Sequence, residues 1–396
     1  MKLAQRALGI SPSPTLAIDA KFKQMLQDGQ DVVGFGAGEP DYDTPEVIKN
    51  EAISALKKGQ TKYTAASGTP QLKEAVCFKM ERDHGLKYQV NQVIICCGAK
   101  HALYNLFQVI CEPGDEVIIP APYWVSYSEQ VNMTGAKPVL VPTTEASGFK
   151  MSAAQFKAAI TPRTAALILN SPSNPTGTVY TRDELEAIAA VAVENKILVV
   201  SDEIYERLIY EGVHTSIASL GPEIKELTVI INGLSKTFSM TGWRIGYAVG
   251  DAKIIKAMGD LQSHSTSNPV TFCQAASVLA LRQPPVEIVA EMIQEFKSRR
   301  DYMVTRLNQM PGISCRKPEG AFYVFPNISG LIGKELGGKK ITDSDIFAEA
   351  LLEKGKVAVV PGSGFGAPEF IRLSYATSME QIQKGLDRIA EFIAGK

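Results

Sequence analysis

Five short apolar runs, each ending in polar or glycine-rich residues, constrain this chain more than any other feature. They occupy residues 93–96, 116–119, 166–169, 197–200 and 228–231. A continuous apolar run of this length suits a strand buried on both faces, as in a mainly parallel sheet covered by helices. Amphipathic stretches of helical length lie between the runs, notably 99–111 and 182–194. The alternation predicts an open, wound α/β sheet.

From about residue 285 the pattern changes. A long charged amphipathic stretch at 287–309 reads as a connector. It is followed by apolar runs at 321–325, 357–360 and 371–374, a helix over 343–354 and a last helix from Ser378. This mixed segment predicts a smaller α+β domain. The first 45 residues are turn-rich and are expected to pack with it. The expected division is a large domain over 46–284 and a small one from 1–45 plus 285–396. A length of 396 residues accommodates both.

Charge and cysteine usage exclude several classes. Lys+Arg total 41 against 42 Asp+Glu, a net charge of -1, without the positive excess that nucleic-acid or membrane-surface binding requires. The N-terminal residues contain no apolar signal core, and no run reaches the ~18 apolar residues of a membrane span. A cytoplasmic protein is expected. Six cysteines lack C-x-x-C spacing and the four histidines form no H-E-x-x-H motif. No zinc or other metal site is expected, and the thiols read as reduced.

In a parallel α/β sheet, ligands bind outside the carboxyl ends of the strands. The residues after each run are therefore the informative ones. Run 93–96 leads to Gly98-Ala99-Lys100 at a helix start, and 166–169 to Asn170-Ser171-Pro172-Ser173-Asn174-Pro175-Thr176-Gly177. Run 197–200 leads to Ser201-Asp202-Glu203-Ile204-Tyr205, and 228–231 to Ser235-Lys236 and then Thr241-Gly242-Trp243-Arg244. Singly these are ordinary: Asn-Pro-Thr-Gly is a turn, and an Asp after a strand commonly caps a helix. Together they offer an anion-ready helix start, an amide, a carboxylate, a phenol and an amine. That set complements a phosphorylated, ring-bearing aldehyde, which is pyridoxal 5'-phosphate. No dinucleotide G-x-G-x-x-G, Walker A or G-x-S-x-G motif competes.

The order and spacing of these segments resemble the fold-type I aminotransferases that use pyridoxal phosphate, in the bacterial aspartate aminotransferase branch called subclass Ib. The similarity runs nearly end to end. It also includes Ala37-Gly38-Glu39-Pro40-Asp41, Lys62-Tyr63, Met240-Thr241-Gly242-Trp243-Arg244-Ile245-Gly246-Tyr247 and Ile371-Arg372-Leu373-Ser374-Tyr375-Ala376. The resemblance implies that Lys236 is the Schiff-base lysine and proton carrier, and that Asp202 faces the pyridine nitrogen. It implies that Tyr205 and Asn174 bond the ring oxygen, and that Trp124 stacks on the ring. Ser235, Arg244 and the backbone of Gly98, Ala99 and Lys100 would hold the phosphate. Tyr63 would reach the phosphate in the neighbouring subunit of a homodimer. Arg372 would fork the substrate α-carboxylate beside the Gly38 backbone.

For the substrate, the resemblance makes Lys100 the receiver of a side-chain carboxylate, with Thr15 its partner. Many relatives carry Lys-Pro-Ser-x-Thr where this chain has Ser11 in place of Lys, which counts more against prephenate than against aspartate. The expected reaction is a ping-pong transfer of the amino group between aspartate and 2-oxoglutarate. Alternatives are a glutamate- or aspartate-prephenate aminotransferase or an enzyme with both activities, and a lyase or cyclopropane-forming synthase on the same scaffold. A cofactor-binding regulator with a DNA-binding module is disfavoured by the balanced charge and a family match beginning within the first dozen residues.

Overall fold

The computed structural model describes residues 2–4, 8–10 and 14–395; for residues 14–17 and 19 it describes the backbone alone. A seven-stranded sheet forms the centre. Its strands are β1 (Val93–Cys96), β2 (Glu116–Ala121), β3 (Lys137–Pro142), β4 (Thr164–Asn170), β5 (Leu198–Asp202), β6 (Thr228–Gly233) and β7 (Gly246–Val249). Their spatial order is β1-β7-β6-β5-β4-β2-β3. All neighbours are parallel except β7, which runs antiparallel to both β1 and β6.

The five apolar runs are all strands of this sheet. Every residue of β1 and β6 is buried, and burying each large aliphatic side chain stabilises the fold by roughly 1.5–3 kcal/mol. Two strands did not stand out as runs. Edge strand β3 is half exposed and bracketed by Pro138 and Pro142, while β7 spans four residues and opens on glycine.

Around the sheet, helix α1 (Pro14–Gln27) precedes the short strand Val33–Gly34, regular elements that the turn-rich composition did not suggest. Pro14 sits at the first helical position, where its missing N–H is harmless. Val33–Gly34 pairs in parallel with Val357–Ala358, and Met25 and Val32 pack on Leu352 and Ala358. These contacts tie the N-terminal segment to the C-terminal one.

Helices α2 (Pro70–His84), α3 (Ala99–Ile110) and α4 (Ser126–Asn132) lie in the sheet-bearing part. The long α5 (Val286–Asn308) occupies the expected connector. Beyond it, Val360–Pro361, Ile371–Ser374 and Tyr323–Val324 make a three-stranded antiparallel sheet. The run 357–360 is therefore split, its halves pairing with different partners. The helix expected over 343–354 is α-helical at Ser344–Ala350 and continues as a wider π turn, Leu351–Gly355.

Candidate active site

The carboxyl ends of β4, β5 and β6 open into a cleft of about 710 Å³, closed on the far side by residues 36–39, Tyr323 and Arg372. Each strand end switches from apolar residues, which the sheet buries, to polar ones that the sheet cannot cover. Topology and sequence pattern therefore converge on one edge.

Lys236 lies at the cleft floor, its Nζ donating to the carbonyl of Gly38. Burial pulls its pKa down to about 8. Glu39 opposes this, while Arg372, Arg244 and Lys100 add repulsion. The Nζ stands 6.0 Å from the Tyr205 ring centroid and 5.8 Å from that of Phe322.

Asp202 is buried at the end of β5. Its Oδ2 accepts from the Tyr127 hydroxyl at 2.7 Å and its Oδ1 from the Ile204 N–H at 3.2 Å. Burial raises its carboxyl to about 6, partly offset by these two donors. Two oppositely charging groups are thus pushed toward neutrality in one cavity, the pattern of a site built for proton transfer or a charged ligand.

Tyr205 shares a hydrogen bond with Tyr323 at 2.9 Å between hydroxyl oxygens, and burial holds its phenol well above the ordinary range. Asn174 is held from below: its backbone N–H donates to Asn170 Oδ1 at 2.9 Å, and Asn170 Nδ2 donates to the Asp202 carbonyl at 3.0 Å. Arg372, on Ile371–Ser374, spans the cleft. Its Nη1 donates to Asn174 Oδ1 and its Nη2 to the Gly36 carbonyl, both at 3.0 Å. Its Nε is buried with no partner among the described residues, a donor left over for a ligand.

Arg244 follows β6 and turns back with φ 55°. Its Nη1 donates to the Thr241 carbonyl at 2.7 Å and its Nη2 to the Cys97 carbonyl at 3.3 Å. This places a guanidinium at the N-terminus of α3, where free N–H groups and the helix dipole favour an anion. Gly98, at φ 90°, precedes that helix, and any Cβ there would collide with the Arg244 guanidinium. Ser235 lines the same cavity. Lys100 reaches over the Trp124 ring, 4.8 Å from its centroid, and burial with Arg244 repulsion lowers its pKa.

Residues 30–389 match the aminotransferase class I and II family. The chain belongs to that family. An aspartate aminotransferase from Geobacillus stearothermophilus is 53% identical over the whole of both chains. An aspartate/prephenate aminotransferase from Cereibacter sphaeroides is 49% identical over 98% of this chain and 97% of the relative. Among solved structures, the Rhizobium meliloti aspartate aminotransferase superposes with a TM-score of 0.96 at 44% identity, covering 100% of this chain and 99% of the other. The Thermus thermophilus enzyme with maleate gives 0.94 at 44% identity, covering 99% and 100%.

In this aminotransferase the cleft gathers Gly38, Ala99, Lys100 and Trp124 with Asn174, Asp202 and Tyr205, and with Ser235, Lys236, Arg244 and Arg372. Gly98 borders it without lining it. Tyr63 lies elsewhere, 91% exposed, and the side chain of Thr15 falls outside the described residues. Tyr127, Asn170, Glu39, Lys23 and Tyr323 also line the cleft, although no role was expected of them. Asn170 stands directly after the run 166–169, where the strand-end rule points; Tyr127 follows Trp124 by three residues on a short helix, six residues past Ala121, the end of β2.

Behind the cleft lies a second polar cluster. Lys79 Nζ donates to Glu206 Oε2 at 2.6 Å, and His84 Nε2 lies 2.9 Å from the same oxygen. His214 Nε2 lies 3.1 Å from Glu203 Oε2, whose Oε1 accepts from Ser201 and Ser216. Donor atoms of His84, Glu206 and His214 lie within 4.8 Å of one another. The Lys79 ammonium, at 2.6 Å and 3.0 Å from two of them, is the cation of that cluster.

Proposed function

We propose that this enzyme is a pyridoxal-phosphate-dependent aspartate aminotransferase that exchanges an amino group between L-aspartate and 2-oxoglutarate in a ping-pong cycle. The observation that carries the reading is the facing pair Lys236 and Asp202 on one cleft floor, roofed by Arg372. The residues fit the cofactor. Asp202 is a buried carboxylate that meets only neutral donors, so a protonated ring nitrogen would supply its missing counter-charge. Arg244, Ser235 and the N-terminus of α3 form an anion seat, and Trp124 offers a face for the ring. Bound there, the cofactor would act as an electron sink that acidifies the substrate Cα–H.

The chain's own groups account for the rest. Arg372 presents a planar fork and a spare Nε to the α-carboxylate, which a lysine could not match. Lys236, with a pKa near 8, has a neutral amine fraction at neutral pH that accepts a proton and, as ammonium, returns it. Tyr205 and Asn174 supply a hydroxyl and an amide to the ring oxygen. Lys100 is assigned to the side-chain carboxylate of a dicarboxylic substrate, with Thr15 as its partner. The relative with aspartate/prephenate activity in its name supports a second reading, in which prephenate is also an acceptor.

We further assign the division into domains at 46–284 and 1–45 plus 285–396, and a homodimer in which the exposed Tyr63 reaches the partner's phosphate seat. The exposed Val47, Ile53, Leu56 and Val270 support a covered face. No described helix is long and apolar enough to cross a membrane, and all six cysteines are unpaired, as suits a cytoplasmic enzyme.

Two variants test the reading. Lys236→Ala should lose turnover by several orders of magnitude together with the visible absorbance of lysine-bound cofactor; a coloured, active variant would refute it. Lys100→Ala should weaken kcat/KM for aspartate by about 1–3 kcal/mol more than for alanine. Equal losses would confine Lys100 to the phosphate.

A further inference from the structure

The arrangement around Asp202 contains a residue that the reaction as described leaves unused. Tyr127 is 2% exposed, lies on α4 three residues beyond Trp124, and donates its hydroxyl to Asp202 Oδ2 at 2.7 Å. Its ring meets Trp124 edge to face, with centroids 5.3 Å apart. The helix carrying it is anchored separately, because Gln130 Nε2 donates to the Lys100 carbonyl at 3.0 Å. The hydroxyl keeps its proton, since burial and the Asp202 charge both push the phenol pKa well above its ordinary value. It is therefore a donor throughout.

The donor matters because Asp202 has few alternatives. Among the described residues, the only other hydrogen bond to its carboxylate is the longer one from Ile204 N–H, and burial favours the neutral acid. A protonated Asp202 could not hold a proton on a ring nitrogen. We propose that Tyr127 is the positioning residue for Asp202, holding its carboxylate ionised and turned into the cleft while setting the edge of Trp124. Tyr127 would thereby act on the electron demand of the cofactor without touching substrate. The inference rests on the reading of Asp202 as partner of a pyridoxal ring nitrogen.

The test uses holoenzyme carrying Tyr127→Phe, which removes the hydroxyl and keeps the packed ring. Dissociation constants are measured for pyridoxal phosphate and for its analogue with carbon in place of the ring nitrogen. The natural cofactor should bind about 10- to 100-fold more weakly to the variant than to the wild type, whereas the analogue should bind both alike. The pH titration of the visible absorbance should move upward, because a less protonated ring leaves the lysine-bound nitrogen more basic. Tyr127→His, which keeps a donor, should recover part of the affinity for the natural cofactor. Equal losses for both cofactors would make Tyr127 a packing residue and overturn the proposal, as would no loss for either. A wild type that forms no visible complex with pyridoxal phosphate would overturn the cofactor reading as well, separating that failure from one confined to Tyr127.

Discussion

Asp202 and Glu206 are buried carboxylates four residues apart on one segment, and they face opposite environments. Glu206 looks behind the cleft, where the Lys79 ammonium stands at 2.6 Å and His84 at 2.9 Å. These neighbours hold its pKa well below the ordinary value despite burial. Asp202 looks into the cleft, meets only a phenol and an amide N–H, and is raised to about 6. Glu206 finds its counter-charge within the chain and serves the fold. Asp202 has no charged hydrogen-bond partner among the described residues and feels only the weaker pull of Lys236, and that deficit is what a cationic ligand group would fill. The segment carries Asp202 and Tyr205 into the cleft, while Glu203 and Glu206 fasten it from behind.

The comparison can be broken most sharply at Glu206. Glu206→Ala strands a buried ammonium and should lower unfolding stability by about 3–5 kcal/mol in denaturant titrations; a loss no larger than that of an exposed ion pair would remove Glu206 from the fold's essential charges. Asp202→Asn should have the opposite sign in cofactor-free protein. A carboxyl with pKa near 6 in the fold and near 4 when unfolded binds more protons when folded. Wild-type stability should therefore fall as pH rises from about 4 to about 6 and stay level above. Replacing the group should recover up to about 3 kcal/mol at pH 8. A variant less stable than wild type there would contradict the deficit. His84→Asn keeps the Lys79–Glu206 pair and should cost only about 1 kcal/mol, read from the same titration.

Much of the site was legible because of one physical rule. A doubly covered strand must be apolar until it leaves the sheet, so the first polar residues mark its carboxyl end and hence the cleft. Asn174, Asp202, Ser235, Lys236 and Arg244 all follow such ends. The roles proposed for them rest on the family resemblance, since a turn and an N-cap have the same local pattern. Tyr127 lies on a seven-residue helix off the sheet and has no such marker. Strand β3 was invisible because a half-exposed edge tolerates proline and does not need a continuous apolar run. Helix α1 was obscured by prolines that read as turns, although one of them begins the helix. The small sheet is built from strands of two to four residues; the apolar runs 321–325, 357–360 and 371–374 marked their places but not their bounds or pairing.

The one reversed strand, β7, has a consequence for the anion seat. By running against its neighbours, it starts at the edge where the others finish, so Arg244 and Gly246 arrive beside the opening turn of α3 from a region about 145 positions later in the chain. Gly246 lies so close to Ala99 that no side chain could be inserted there. The close approach of Gly246 to Ala99 and the Arg244 hydrogen bonds to the Thr241 and Cys97 carbonyls therefore hold the guanidinium beside the helix start, so the proposed anion seat is assembled by the chain itself.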